Sequence, residues 1–151
     1  MGVGLRVLIT LVAVFIGFQL IPYGKQINPK YDKKDEIAVD KDLKSIFKRA
    51  CYDCHSNDTK WPWYSYVAPV SWSVYDHVKG GRAALNFSTW NSYNDEQKAK
   101  LKSKIYRTVF KAMPLSEYVF IHKNATLSKD DIKKIRYWAS DGSGYMPIEV
   151  R

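Results

Sequence analysis

Two cysteines and a histidine fall in the run Cys51-Tyr52-Asp53-Cys54-His55, and no other feature constrains the chain as much. Thiols three residues apart share one helical turn, and the imidazole that follows projects beside them. That spacing suits a porphyrin: the two thiols reach the vinyl groups along one side of the ring, and His55 reaches the iron. C-x-x-C-H is the attachment signature of a c-type haem, here through Cys51 and Cys54. A disulfide framework of several bridges is excluded, because the chain has only these two cysteines. Two rival uses of the spacing are weaker. A thioredoxin-like dithiol follows a strand of a βαβ unit, and no run with strand periodicity is present. A structural zinc needs four nitrogen or sulfur ligands, and only His77 and His122 remain to join the motif.

The chain has 151 residues, enough for one domain, and its 46% apolar content supports a packed core. The formal charge of +9 permits an acidic partner or an anionic surface and does not by itself indicate nucleic acid. Residues Val7 to Ile21 carry no charge; Arg6 precedes them, and Pro22 and Lys25 follow. Counted from Gly2 to Tyr23, the segment meets the requirement of about 17–20 apolar residues for crossing a bilayer, and it lacks a small-x-small cleavage site. Residues 1–24 therefore read as an uncleaved signal anchor with one N-terminal transmembrane helix. Residues 25–39, polar and containing Asn28-Pro29, read as a tether, and residues 40–151 as the haem c-binding domain. The lysines after the segment run against the positive-inside rule. Covalent haem attachment takes place outside the cytoplasm, so the motif places the domain on the periplasmic side of the bacterial inner membrane.

Helical periodicity dominates the remainder. Asp40 reads as an N-cap before Leu43, Ile46, Phe47 and Ala50. Ser71 opens a short helix that Gly80-Gly81 stops. Asn94 and Gln97 begin a helix facing inward through Leu101, Ile105, Val109 and Ala112, and Met113-Pro114 ends it. Ser128-x-x-Asp131 opens the last helix, lined by Ile132, Ile135 and Ala139 and closed by Asp141-Gly142. The fold class is mostly α with long loops, and the first and last helices of the domain should pack together.

The second iron ligand is Met113. A proline directly after it halts the helix and lets a loop turn the thioether inward, and a His55/Met113 pair suits electron transfer. Met146, before Pro147, and His77 and His122 are the alternatives. The other ring nitrogen of His55 needs a carbonyl acceptor, for which Pro69 is preferred over Pro62. Trp61, Trp63, Trp72 and Trp90 are candidates to pack on the porphyrin, and Arg82, whose fork suits carboxylates, is preferred over Lys60 and Lys79 for the propionates.

The run CYDCHSNDTKWPW, with Tyr64-Ser65-Tyr66, Ala68-Pro69-Val70-Ser71-Trp72, Gly81-Arg82, Leu85-Asn86-Phe87-Ser88 and Trp90, resembles the bacterial haem-binding domain family. Met113-Pro114 followed by Tyr118 and His122 adds to the resemblance, as does Gln19 to Lys25 near the N-terminus. The family usually has Met-Pro-Pro where this chain has Met113-Pro114-Leu115. The resemblance implies a membrane-anchored, periplasmic monohaem cytochrome with a class I cytochrome c-like helical fold. The expected function is electron carriage with one covalent haem c and no enzymatic reaction of its own. The basic surface would dock acidic-surfaced redox partners. Two alternatives are a peroxidase-like enzyme, with His77, His122 or Glu117 as acid/base group, and a gas-binding sensor. Both need an open or displaceable distal position.

Overall fold

Capping residues and apolar stripes lead to seven α-helices among residues 2–146, the part of the chain that the computed structural model describes. Met1 and Pro147 lie outside the described residues. Helix α1 is Val3–Gln19 and α2 is Lys41–Ala50, the latter capped by Asp40 Oδ1, which accepts from the Leu43 amide at 2.9 Å. Cys51 interrupts the path, and α3 is the single turn Tyr52–His55. Helix α4 is Val70–Ala84, α5 Asp95–Thr108, α6 Ser116–Ile121 and α7 Lys129–Ala139. Both expected capping boxes form, Asn94 with Gln97 on α5 and Ser128 with Asp131 on α7. The turn that closes α7 places Asp141 and Gly142 at positive φ.

Helices α2, α5 and α7 bury their apolar stripes against one another and against the short 3-10 stretch Phe87–Ser92. Phe47 and Phe87 stack at 4.7 Å, and the Trp138 ring meets Phe47 edge-on at 5.4 Å. Phe47, Phe87 and Ile135 are wholly buried, so this cluster is the core. Arg49 near the end of α2 ties α7 to it: its guanidinium donates to Asp131 at 2.5 Å and to the Asn124 and Thr126 carbonyls.

The first residues correct the expected anchor. Helix α1 has 17 residues, about 25 Å at 1.5 Å per residue, against a hydrocarbon core of about 30 Å. Among the described residues no helix is long and apolar enough to cross a membrane. The apolar count ran on to Tyr23, whereas the helix ends at Gln19. There Leu20 and Ile21 turn back onto the Gly17 and Phe18 carbonyls, and Pro22 follows. The Gln19 amide is taken by Ala68, donating to its carbonyl and accepting from its N–H, both at 3.0 Å. The transmembrane helix and the attachment of the chain through residues 1–24 to the periplasmic side of the inner membrane are therefore not supported.

Residues 25–39 are also no free tether. Ile37 is buried in the core and donates its N–H to the Phe87 carbonyl; Gln26 and Asn28 donate to the Ser65 and Thr59 carbonyls. A polar composition here reflects bonds to backbone of the domain rather than solvation alone.

The Asp131 carboxylate would be raised by burial, but Arg49 and the Ser128 hydroxyl and amide outweigh this and hold it below the usual carboxylate range. A carboxylate held low stabilises the fold above its unfolded pKa, about 4, and loses that contribution as pH falls through the lower folded value. Asp131→Asn should cost about 1–2 kcal/mol at neutral pH in urea unfolding and should flatten the stability loss below about pH 4. An unchanged acid limb would show that Asp131 does not set it.

Candidate functional site

The motif residues sit where α3 packs on α4. The helix was expected to stop at Gly80-Gly81, but it continues to Ala84. The glycine serves contact instead. A Cβ on Gly81 would lie 2.4 Å from the Cys54 carbonyl oxygen, whereas a Cβ on Gly80 would meet nothing within 4 Å. Close approach brings the C-terminal end of α4 to the His55 ring. His55 Nδ1 lies 2.9 Å from the Gly81 carbonyl and 3.2 Å from the Leu85 carbonyl. Carbonyls only accept, so Nδ1 carries the proton and Nε2 is left with its lone pair. Burial lowers the His55 pKa against the opposing pull of these two bonds, which favours the neutral ring. A neutral imidazole with Nδ1–H bonded to backbone is the form that ligates a metal through Nε2. The acceptors correct the proline expectation: Pro69 is exposed at the start of α4, and the carbonyls come from that helix's other end.

Burial pushes the Cys51 thiol up to about 12 and Cys54 to about 11. Both are neutral thiols, unlike the low-pKa thiolates of dithiol redox motifs. Among the described residues no cluster of three or more His, Cys, Asp or Glu side chains is arranged to hold a metal ion directly.

Two cavities border both His55 and Cys51. One, of about 310 Å³, is lined by Cys51, Cys54, His55, Met113, Leu115 and Tyr118, with His77 also on its wall. The other, of about 160 Å³, shares Cys51, His55 and Met113 and is closed by Leu85, Phe87, Leu101 and Ile105. Met113 thus borders both cavities beside His55, 37% exposed and close to the end of α5. A planar apolar group entering here would meet two thiols, an imidazole, a thioether and an apolar wall. The donor set and the wall fit a haem.

A comparison of the sequence with protein-family models agrees: the haem-binding domain model matches residues 13–141. The chain belongs to the haem-binding domain family. No curated protein and no solved structure matches it.

The other expected site residues of this haem-binding domain lie elsewhere. Trp63 is 78% exposed, and Trp72 packs on Phe18 and Tyr23. Trp90 belongs to the core beside Phe87 and Trp138. Trp61 donates to Asn28 and lies under Arg82. Arg82 does not await a carboxylate: it donates to the Ser56 and Ile27 carbonyls, to Asn28 and to Thr59, clamping residues 27–28 to the loop after the motif. His122 is engaged with Tyr64 and Tyr118 and does not line either cavity. Gly81, Leu85, Leu115 and the wall of α5 were not foreseen as site residues. A glycine inside a helical run, which costs about 1 kcal/mol relative to alanine, was the available signal for Gly81.

Gly81→Ala must push α3 off α4, and should cost about 1–3 kcal/mol in denaturant unfolding. Gly80→Ala, facing open space, should gain about 0.5–1 kcal/mol from helix propensity alone. Equal effects of the two substitutions would refute the close-approach role of Gly81.

Proposed function

We propose that this protein is a monohaem c-type cytochrome that passes single electrons between partner proteins. Cys51 and Cys54 would hold the haem covalently through thioethers, and His55 Nε2 and Met113 Sδ would ligate the iron. The haem, when bound, supplies a one-electron ferrous/ferric couple. The single observation that carries the reading is the His55 Nδ1–H held by the Gly81 and Leu85 carbonyls. This bond orients the ring, fixes its tautomer and raises the basicity of the ligating nitrogen. Neither cysteine is activated as a thiolate, which argues against disulfide exchange as their use. The apolar wall of Leu85, Phe87, Leu101 and Ile105 would keep water from one side of a bound haem, which would favour the less charged ferrous state. The surplus of lysine and arginine would steer docking of an acidic-surfaced partner, with rates that fall as salt rises.

A second reading keeps the haem but not the methionine. His77 lines the same cavity as His55 and Met113, so a bis-histidine iron, or an open distal side with His77 near it, is the alternative. The latter would suit peroxidase-like or gas-binding chemistry.

The test is the visible spectrum of the full chain produced in a host that matures c-type haem. Haem should remain attached after denaturation in acid and organic solvent, and Cys51→Ala with Cys54→Ala should abolish this. The ferric protein should show sharp low-spin bands and a weak far-red sulfur-to-iron band that Met113→Ala removes. A low-spin spectrum that survives Met113→Ala but not His77→Ala would transfer the sixth position to His77. A high-spin wild type that reacts with peroxide or binds carbon monoxide would replace electron carriage by the enzymatic or gas-binding reading.

A further inference from the structure

Tyr118 and His122 stand in the resemblance motif beside Met113, and neither is an iron ligand in the reading above. They belong to a strap, residues 114–122, that continues directly from Met113. Leu115 and Tyr118 of the strap line the cavity at His55. Its helix, α6, buries no residue, so apolar burial does not hold it in place. Side-chain contacts do. The Tyr118 hydroxyl donates to Asp53 Oδ2 at 2.6 Å, and Asp53 lies between the two cysteines of the motif. The His122 ring stacks on Tyr118 with centroids 4.4 Å apart and planes 19° from parallel. His122 Nε2 in turn shares a 2.6 Å hydrogen bond with the Tyr64 hydroxyl, on the loop that follows the motif. On the other side, Met113 donates its backbone N–H to the Thr108 carbonyl.

From this arrangement we infer that Tyr118, braced by His122 and Tyr64, is a positioning residue that keeps the Met113 thioether on the iron. The inference rests on the Met113 ligation proposed above. The motif carries His55 and Asp53 on one short turn, so a bond from the strap to Asp53 fixes the strap relative to the proximal ligand. A hydroxyl-to-carboxylate bond is stronger than a neutral pair and suits this task. Releasing it would let residues 113–122 move without disturbing the core, which lies against α2, α5 and α7. The methionine-bound state would then lose population to any competing ligand.

The experiment is an imidazole titration of the ferric full-length haem protein. Imidazole nitrogen replaces the thioether sulfur on iron: one coordinate bond breaks and one forms, with no change of oxidation state. Tyr118→Phe keeps the ring and removes only the hydroxyl. It should retain wild-type covalent haem content, weaken the far-red band and bind imidazole about tenfold more tightly, the equivalent of one lost hydrogen bond of about 1.4 kcal/mol. Tyr64→Phe, farther along the brace, should shift the affinity the same way by a smaller factor. Backbone amides of residues 114–122 should exchange with deuterium faster in Tyr118→Phe, while those of α7 stay unchanged. A merely structural tyrosine would lower stability without a selective change in imidazole affinity. Should Tyr118→Phe fail to accumulate, Tyr64→Phe decides. Wild-type imidazole affinity and far-red band in the variants would overturn the inference while leaving Met113 ligation intact. A wild type with no far-red band would overturn both.

Discussion

The paired carbonyls at the end of α4 govern how the site is built. Every helix leaves carbonyl groups without partners in its last turn, and they carry the negative end of the helix dipole. Here the Leu85 carbonyl, just past the helix end, and the Gly81 carbonyl, which also accepts the Leu85 N–H, converge on His55 Nδ1. The helix end gains a donor, and the imidazole gains a fixed plane, a fixed tautomer and a free Nε2. None of this is possible unless α3 approaches α4 closely enough for the Cys54 carbonyl to occupy the space of a side chain at Gly81. A helix-weakening glycine thus serves contact, and the placement of the His55 ring depends on it.

The two sides of the site differ in how they are secured. His55 is set by backbone groups of a long helix, and behind it stands the aromatic core of Phe47, Phe87 and Trp138. Met113 lies where α5 has ended, on a segment whose following helix buries nothing. Stability is not uniform across a fold, and a segment with little apolar burial belongs to its looser part. Under the proposed ligation, such an arrangement would give His55 permanence and leave Met113 dependent on a few polar contacts around Tyr118. The N-terminal portion follows the same logic of side chains bonded to backbone. Gln19, Gln26 and Asn28 each reach carbonyls of the domain, which lays the segment against it.

Local signals in the sequence were reliable where one residue meets its own neighbours. Asp40, Asn94 and Ser128 cap the helices that their spacing indicates, because a cap is a bond within three residues. The apolar stripes of α2, α5 and α7 were legible for the same reason, although the α5 stripe ends at Val109 and leaves Ala112 exposed. Gly80-Gly81 misled, since composition cannot separate a glycine that stops a helix from one that admits a neighbouring chain. The tryptophans misled similarly. Their spacing after the motif says nothing about which core they fill, and Trp90 joined the one formed by α2 and α7. Arg82 carried the right chemistry for a carboxylate, but its donors went to carbonyls that only the folded chain brings to it.

The haem cofactor and the three motif residues proposed to hold it were legible in sequence alone, because two thiols and an imidazole fall within five consecutive residues, within the reach of one helical turn. The mainly helical character was determined in the same way, by periodicity and caps. Tertiary structure decided everything that joins distant parts of the chain. It showed that the apolar N-terminal run ends as a 17-residue helix whose last side chain is bonded to Ala68. It supplied the His55 acceptors from 26 and 30 residues away and brought Met113 to the cavity that His55 borders. It also linked Tyr118 to Asp53 across 65 residues. Hydrogen bonds to backbone carry no residue-type signature at the acceptor, so no pattern of side chains could have announced them.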